Sequence, residues 1–480
     1  MKKIILLRAL CLALVCSFLI CASACAADSN GGVLDGDATE SDEETVRIIK
    51  TELIGGNLFV TYSDGTVENL GPLSGESDSD SLSFYPLPDG TYGITAGNTI
   101  YLEGIAGPEK YKGRIVTHVL SNAFSGLKNL KSITLPETIV SIGESAFQGC
   151  ENLENVNIPA GVKDIGASAF QDCKKIGIVT IGNDIETIGS QAFYMCEGVS
   201  AVTLPSHAFT IGGSAFYGTA FYNEESNWKD NLLYIGKHLI AAKSTIGGNC
   251  DIESGTVTVA NLAFAQCKAL SGVSFPPSVS VIGSFAFMGC DMLQGVHIDK
   301  NSELMHIGSG AFSKCISLKE FELPPLLAAI EPETFAECDK LEKIVYGEET
   351  DIKYIGERAF FGCDALMEVS IPDSVTSLGE SAFEACENLE NVIVNKEESQ
   401  LQRIGARAFM GLDKLSAFAL PATVVEIGDS SFAECTSLVK IEFGADESAW
   451  KKDVTKGMNW NKSVPCEKID FTEAPVEETK

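Results

Sequence analysis

Leu135–Pro159 reads LPETIVSIGESAFQGCENLENVNIP, and its phenylalanine decides the fold. Phe124, Phe147, Phe170, Phe193 and Phe216 follow one another at steps of 23 residues. The series resumes at Phe264, Phe287, Phe312, Phe335, Phe360, Phe383, Phe409 and Phe432, with steps of 23, 25, 23, 25, 23, 26 and 23. Between Phe216 and Phe264 lie two steps of 24, with Ile235-Gly236 and Ile240 marking the middle register. A fixed period of this length is the mark of a stack of small units, each too small to bury its own apolar face. About fourteen coils of 23–26 residues are expected.

Within the coil, Val156 and Ile158 flank Asn157 with a period of two, which predicts a strand with Asn157 facing outward, ended by Pro159. Ile139, Ile142 and Phe147 fall on the return leg. There Gly143 is expected to supply a backbone conformation closed to residues with a Cβ, ahead of a short helical or 3₁₀ turn at Ala146-Phe147. Each coil then has one strand and one compact return. Stacking them gives a strand-rich α/β repeat solenoid with a continuous parallel sheet.

AFQGCENLENVNIP and the recurring V-x-x-I-G-x-x-A-F-x-x-C-x-x-L resemble the BspA-type (Treponema-type) leucine-rich repeats of bacterial surface proteins, over about residues 108–445. The block Phe221-Tyr222-Asn223 through Trp228 to Gly236 is similar to an interruption common in that family, and Trp450 and Trp460 resemble its closing segment. Leu120, Ala260 and Glu331 depart from the pattern at the glycine position, and Thr334 and Ser431 at the alanine position. The resemblance implies an adhesin: an exported surface module that binds a host or microbial protein or glycan, is not an enzyme and carries no cofactor. The competing expectation is an envelope spacer without a dedicated ligand.

Charge narrows the partners. The 480 residues hold 35 Lys plus Arg against 66 Asp plus Glu, a formal net charge of −31, which repels nucleic acid and an anionic membrane face. The N-terminus points to export. Lys2, Lys3 and Arg8 precede or enter the apolar run Ile4–Ile20, which closes on Ala22-Ser23-Ala24, so residues 1–24 are expected to be a signal peptide. Cys25 directly follows and resembles a lipoprotein acceptor, but Ala22 stands where such signals carry Leu, Val or Ile. Lipidation at Cys25 and ordinary cleavage, after Ala24 or Ala26, both stay open. The chain is expected to be secreted or at the cell surface, meeting a membrane only through that anchor.

Further boundaries follow from composition. Residues 25–45 form an acidic tether, 46–73 a small β-hairpin module turning at Ser63-Asp64-Gly65, and 74–83 a linker. Residues 84–112 are expected to cap the solenoid at 113–445, and 446–480 to form the C-terminal cap and tail. Glu76, Asp78 and Asp80 lack the glycine and distal glutamate of a calcium loop and read as solvated linker.

Of the 16 cysteines, ten sit three residues after a register phenylalanine, from Cys150 to Cys435, and Leu127 and Leu412 take the same place elsewhere. A small buried hydrophobe tolerates that exchange and a ligand or bridge does not, so these are expected to be buried free thiols. Sulfurs in a line form no zinc tetrahedron, and no metal site is expected. The five histidines show no catalytic or metal spacing, and Gly213-Ser214-Ala215 belongs to the repeat's own turn.

The candidate binding face is the outward row of the strands: Thr134, Asn157, Thr180, Thr203, Ser274, His297 and Glu322, continuing through Ser370 and Glu442. Insertions at Asp299–Ser302, Gly347–Asp351 and Asn395–Gln400 follow the strand and mark a second candidate edge.

Overall fold

The computed structural model describes residues 48–54, 57–63, 65–72, 76–79, 82–97, 102–347, 351–466 and 469–472. The expected signal peptide and tether, Cys25 included, lie outside them, as does Asp80 of the acidic run. The chain forms two compact units, one ending at Asn227 and the other beginning at Trp228.

In the first unit each coil carries two strands rather than one. Ser132–Thr134 is the strand expected from the alternation, and Ser141–Ile142 is a second, two-residue strand on the return leg. The return strands Arg114–Val119, Ser141–Ile142, Asp164–Ile165, Thr187–Ile188 and Thr210–Ile211 pair in parallel, rung on rung. Backbone extended on the return leg has N–H and C=O groups that must be paired, and the neighbouring rung pairs them. Gly143 N–H, for example, donates to the Val119 carbonyl at 2.8 Å.

The glycine has a different reason from the one expected. Gly143 is not in the left-handed region, and a Cβ there would lie 2.5 Å from the backbone nitrogen of Ser121 in the preceding rung. Left-handed residues instead flank the phenylalanine, Ser145 (φ 53°) and Gly149 (φ 73°), and the pattern recurs at Ser168 and Asp172. Ala146-Phe147 therefore lies in a pair of hydrogen-bonded turns, not a 3₁₀ helix. These turns bring Phe124, Phe147, Phe170, Phe193 and Phe216 into register as stacked rings 5.0–5.4 Å apart, all buried. Stacked ring pairs at this spacing add to the apolar area they bury.

The hairpin module gains a third strand. Ile48–Ile54, Asn57–Tyr62 and Val67–Pro72 form an antiparallel sheet, and Ile48, Leu58 and Val60 share a core with Leu87 and Leu120. Glu76–Ser79, expected as solvated linker, is instead a strand antiparallel to Leu82–Pro86, which in turn pairs with Tyr92–Ala96, and this last strand pairs in parallel with Arg114–Val119. It thereby supplies the first rung with the neighbour it would otherwise lack.

The second unit opens on the irregular block. Trp228–Lys229, Leu232–Ile235 and His238–Ala242 form an antiparallel meander, and His238–Ala242 then pairs in parallel with Thr258–Val259. A rung is present here without its phenylalanine. Return strands continue through Val281–Ile282 and His306–Ile307, and again from Ala329–Ile330 to Thr455–Lys456. Phe264 to Phe432 stack as in the first unit. The helix Glu447–Asp453, N-capped by Asp446, sets Trp450 edge-on to Phe443 and Trp460, and Ile469–Phe471 adds a last strand to Lys440–Phe443.

Where one unbroken sheet was expected, the outer strands form short sheets of two or three. In the second unit the interruptions follow Gly295–Ile298, Lys343–Val345 and Asn391–Ile393, the strands that precede the three insertions. Extra residues there displace the next strand from register. The return ladder breaks once within this unit, between His306–Ile307 and Ala329–Ile330, where Glu331 stands in the glycine position.

Candidate interaction face

The outward row lies on the outer strands as the alternation predicts. Thr134, Asn157, Thr180 and Thr203 are exposed in the first unit, and His297 and Glu322 in the second, where Ser274 is half-buried. Thr180 and Thr203 are ladder partners, and so are Ser274 and His297. Each unit carries its own row, and inward neighbours such as Ile133, Val179 and Phe321 hold it by their burial.

Two members of the row are engaged within the chain. The Asn157 carboxamide bridges the backbone of the preceding rung, its Oδ1 accepting from Leu135 N–H at 2.8 Å and its Nδ2 donating to the Leu135 carbonyl at 3.0 Å. Glu442 receives hydrogen bonds and charge from Lys396 and Lys440, which hold its carboxyl down at about 2. Lys396 comes from the Asn395–Gln400 insertion. That loop is itself ordered: Asn395 Oδ1 accepts from the Glu397 N–H, and the Gln400 N–H donates to the Asp373 carbonyl. The insertion therefore covers part of the acidic row instead of standing apart from it.

Val156 and Ile158, expected in the core, are only half-buried, and Ile178 is 67% exposed. Ile178 stands two residues before Thr180 and shares its outward side.

The register cysteines do more than fill space. Sγ of Cys150, Cys173, Cys196 and Cys290 donates to the carbonyl of the phenylalanine one rung earlier, at 2.9–3.2 Å, and Cys315, Cys338, Cys363, Cys386 and Cys435 do the same at 3.0–3.2 Å. Cys267 reaches the Lys243 carbonyl, because the preceding rung has no phenylalanine. Burial pushes the Cys196, Cys290, Cys338 and Cys386 thiols up to about 12. Thiols held protonated are poor nucleophiles and poor metal ligands. Among the described residues no group of three or more His, Cys, Asp or Glu is placed to hold a metal ion, and no helix is long and apolar enough to cross a membrane.

The repeat so built matches the BspA type leucine rich repeat region, in six copies, over residues 117–247, 245–353 and 349–457. The chain belongs to that family. BspA-type proteins are bacterial leucine-rich-repeat surface proteins, and their repeats are protein-interaction scaffolds of a typically non-enzymatic kind. Solved structures similar to this BspA-type chain include a leucine-rich repeat protein from Bacteroides ovatus, 23% identical, covering 83% of this chain and 100% of its own, with a TM-score of 0.35. A leucine rich cell surface protein from Faecalibacterium prausnitzii is 23% identical over 80% of this chain and 98% of its own, with a TM-score of 0.27. The T. pallidum leucine rich repeat protein is 23% identical over 51% and 90%, with a TM-score of 0.30. The family assignment rests on the repeat match, and no curated protein matches the chain.

Proposed function

We propose that this is an exported adhesion module, displayed at the bacterial surface or secreted, that binds a protein partner through the outer strand face. The observation carrying this reading is a row of exposed Thr and His residues on strands held by a stacked, buried core, which offers extended area to a partner. Export is supported by the charged, then apolar, then small-residue pattern of residues 1–24, and Cys25 is the proposed anchor. Because Asn157 is engaged within the chain, Thr134, Thr180 and Thr203 are the first unit's working contacts.

The spacer reading keeps one specific support, the neutralisation of Glu442 by Lys396 and Lys440, which withdraws part of the acidic row from any partner. Capture of surface and extracellular-matrix proteins, with a glycan array in parallel, separates the readings. Replacing Thr134, Thr180 and Thr203 together by Lys abolishes capture if the face recognises a protein. Unchanged capture moves the binding off this face, none by the wild type favours the spacer, and retention on the glycan array alone replaces the protein partner with a sugar.

A further inference from the structure

Asn157 and Thr180 border a gap in the outer sheet. Asn155–Val156 pairs backward with Ser132–Thr134, and Ile178–Thr180 pairs forward with Ala201–Thr203, yet no ladder joins the two strands. No insertion accounts for this, since both coils have the 23-residue step. Asn157 does. One coil later, the Ile181 N–H donates to the backbone carbonyl of Thr203, whereas the Leu135 N–H takes the side chain of Asn157 in place of its backbone. The carboxamide therefore ends the ladder with Ser132–Thr134 and makes no bond across the gap. The return legs of the same coils stay paired at Ser141 and Asp164, and Phe147 stacks on Phe170 at 5.0 Å, so the opening is confined to the outer face.

Parallel pairing presents N–H and C=O groups of alternate residues to alternate sides. Val156 on one lip, and Ile178 and Thr180 on the other, turn theirs into the gap, and no backbone hydrogen bond spans it. The cavity has a volume of about 290 Å³ and is lined by half-buried Val156 and Ile158, exposed Ile178, Asn157 and Thr180, among others, with no charged residue. Gly177 leaves open space beside it. No aromatic ring lines the gap for a sugar to stack on. Open main-chain donors and acceptors beside aliphatic surface are what an extended peptide completes.

We infer that this gap binds an extended, uncharged polypeptide segment, whose main chain pairs with Val156, Ile178 and Thr180 and whose aliphatic side chain packs on Ile178. The inference rests on the outer face being a protein-binding surface and names the part of a partner it grips.

A fluorescein-labelled Ser-Val-Thr-Val-Thr-Val-Ser peptide, titrated with the full chain and followed by fluorescence anisotropy, tests it. Saturable binding is expected, weakened at least tenfold by N-methylation of alternate peptide amides and at least tenfold by Ile178→Asp. Ile178 is exposed, so that variant keeps its fold, which circular dichroism checks. Absence of saturable binding, or binding indifferent to both changes, overturns the gap. The two readings fail separately: if Thr134, Thr180 and Thr203 to Lys abolishes partner capture while the peptide never binds, the face stands and the gap falls.

Discussion

A Cβ on Gly166 would lie 2.5 Å from the backbone nitrogen of Glu144, one rung earlier. The same contact recurs at Gly189 against Ala167 and at Gly212 against Ser190. The neighbour is backbone in every case, so no rotamer change relieves it. Gly166→Ala is therefore expected to destabilise the first unit by about 1–3 kcal/mol, the usual cost of overpacking, read from urea unfolding. Gly177→Ala, with nothing within 4 Å of its Cβ, is the matched control and should change stability by less than about 0.5 kcal/mol.

At Glu331 the rung-to-rung bond is missing, although Leu120 and Ala260, also in the glycine position, keep theirs to Ile94 and Leu239. Gly308 donates to the Ile282 carbonyl and Gly356 to the Ile330 carbonyl, but the Glu331 N–H makes no corresponding bond to Ile307. Phe312 and Phe335 are the most widely spaced register pair, at 5.9 Å. Glu331→Gly is expected to close this break. The amide at 331 should then exchange with deuterium more slowly than in the wild type, and unchanged exchange would show that the break has another cause.

The ladder thiols predict a pH dependence. Their folded values, about 12 for Cys196, Cys290, Cys338 and Cys386, lie above the ordinary 9.0. Between those limits the unfolded chain releases thiol protons that the folded chain keeps, so stability falls as pH rises. Each thiol contributes a slope approaching about 1.4 kcal/mol per pH unit. Urea midpoints at pH 8 and pH 10 should therefore fall more for the wild type than for Cys196→Val. A thiol reagent at pH 8 should leave the buried ladder cysteines unmodified until denaturant is added.

Phe170→Ala removes a ring stacked between Phe147 and Phe193. The loss is expected to be about 3–5 kcal/mol. Exchange protection should drop mainly in the two adjoining rungs, because each coil of a solenoid contacts only its neighbours.

The period and the buried and outward positions were legible along the chain, because a rung repeats the same local choices every 23–26 residues. Alternation at Ile133 and Thr134 correctly separated inside from outside. The same alternation misplaced Val156 and Ile158, since their burial depends on whether Ile178–Thr180 closes over them. The glycine was recognised but assigned to torsion when it answers to contact. Periodicity says which side a residue faces and nothing about how near the next backbone comes.

Sequence alone thus determined that this chain stacks, what its core is made of and which residues point outward, all of which follow from local spacing and hydrophobicity. Tertiary structure decided the rest: the second strand ladder, the cysteine bonds to phenylalanine carbonyls, the Asn157 bridge and the places where sheets part. Each of these joins atoms from residues some 22–28 positions apart. Such contacts are set by distances between rungs, which only the assembled stack defines.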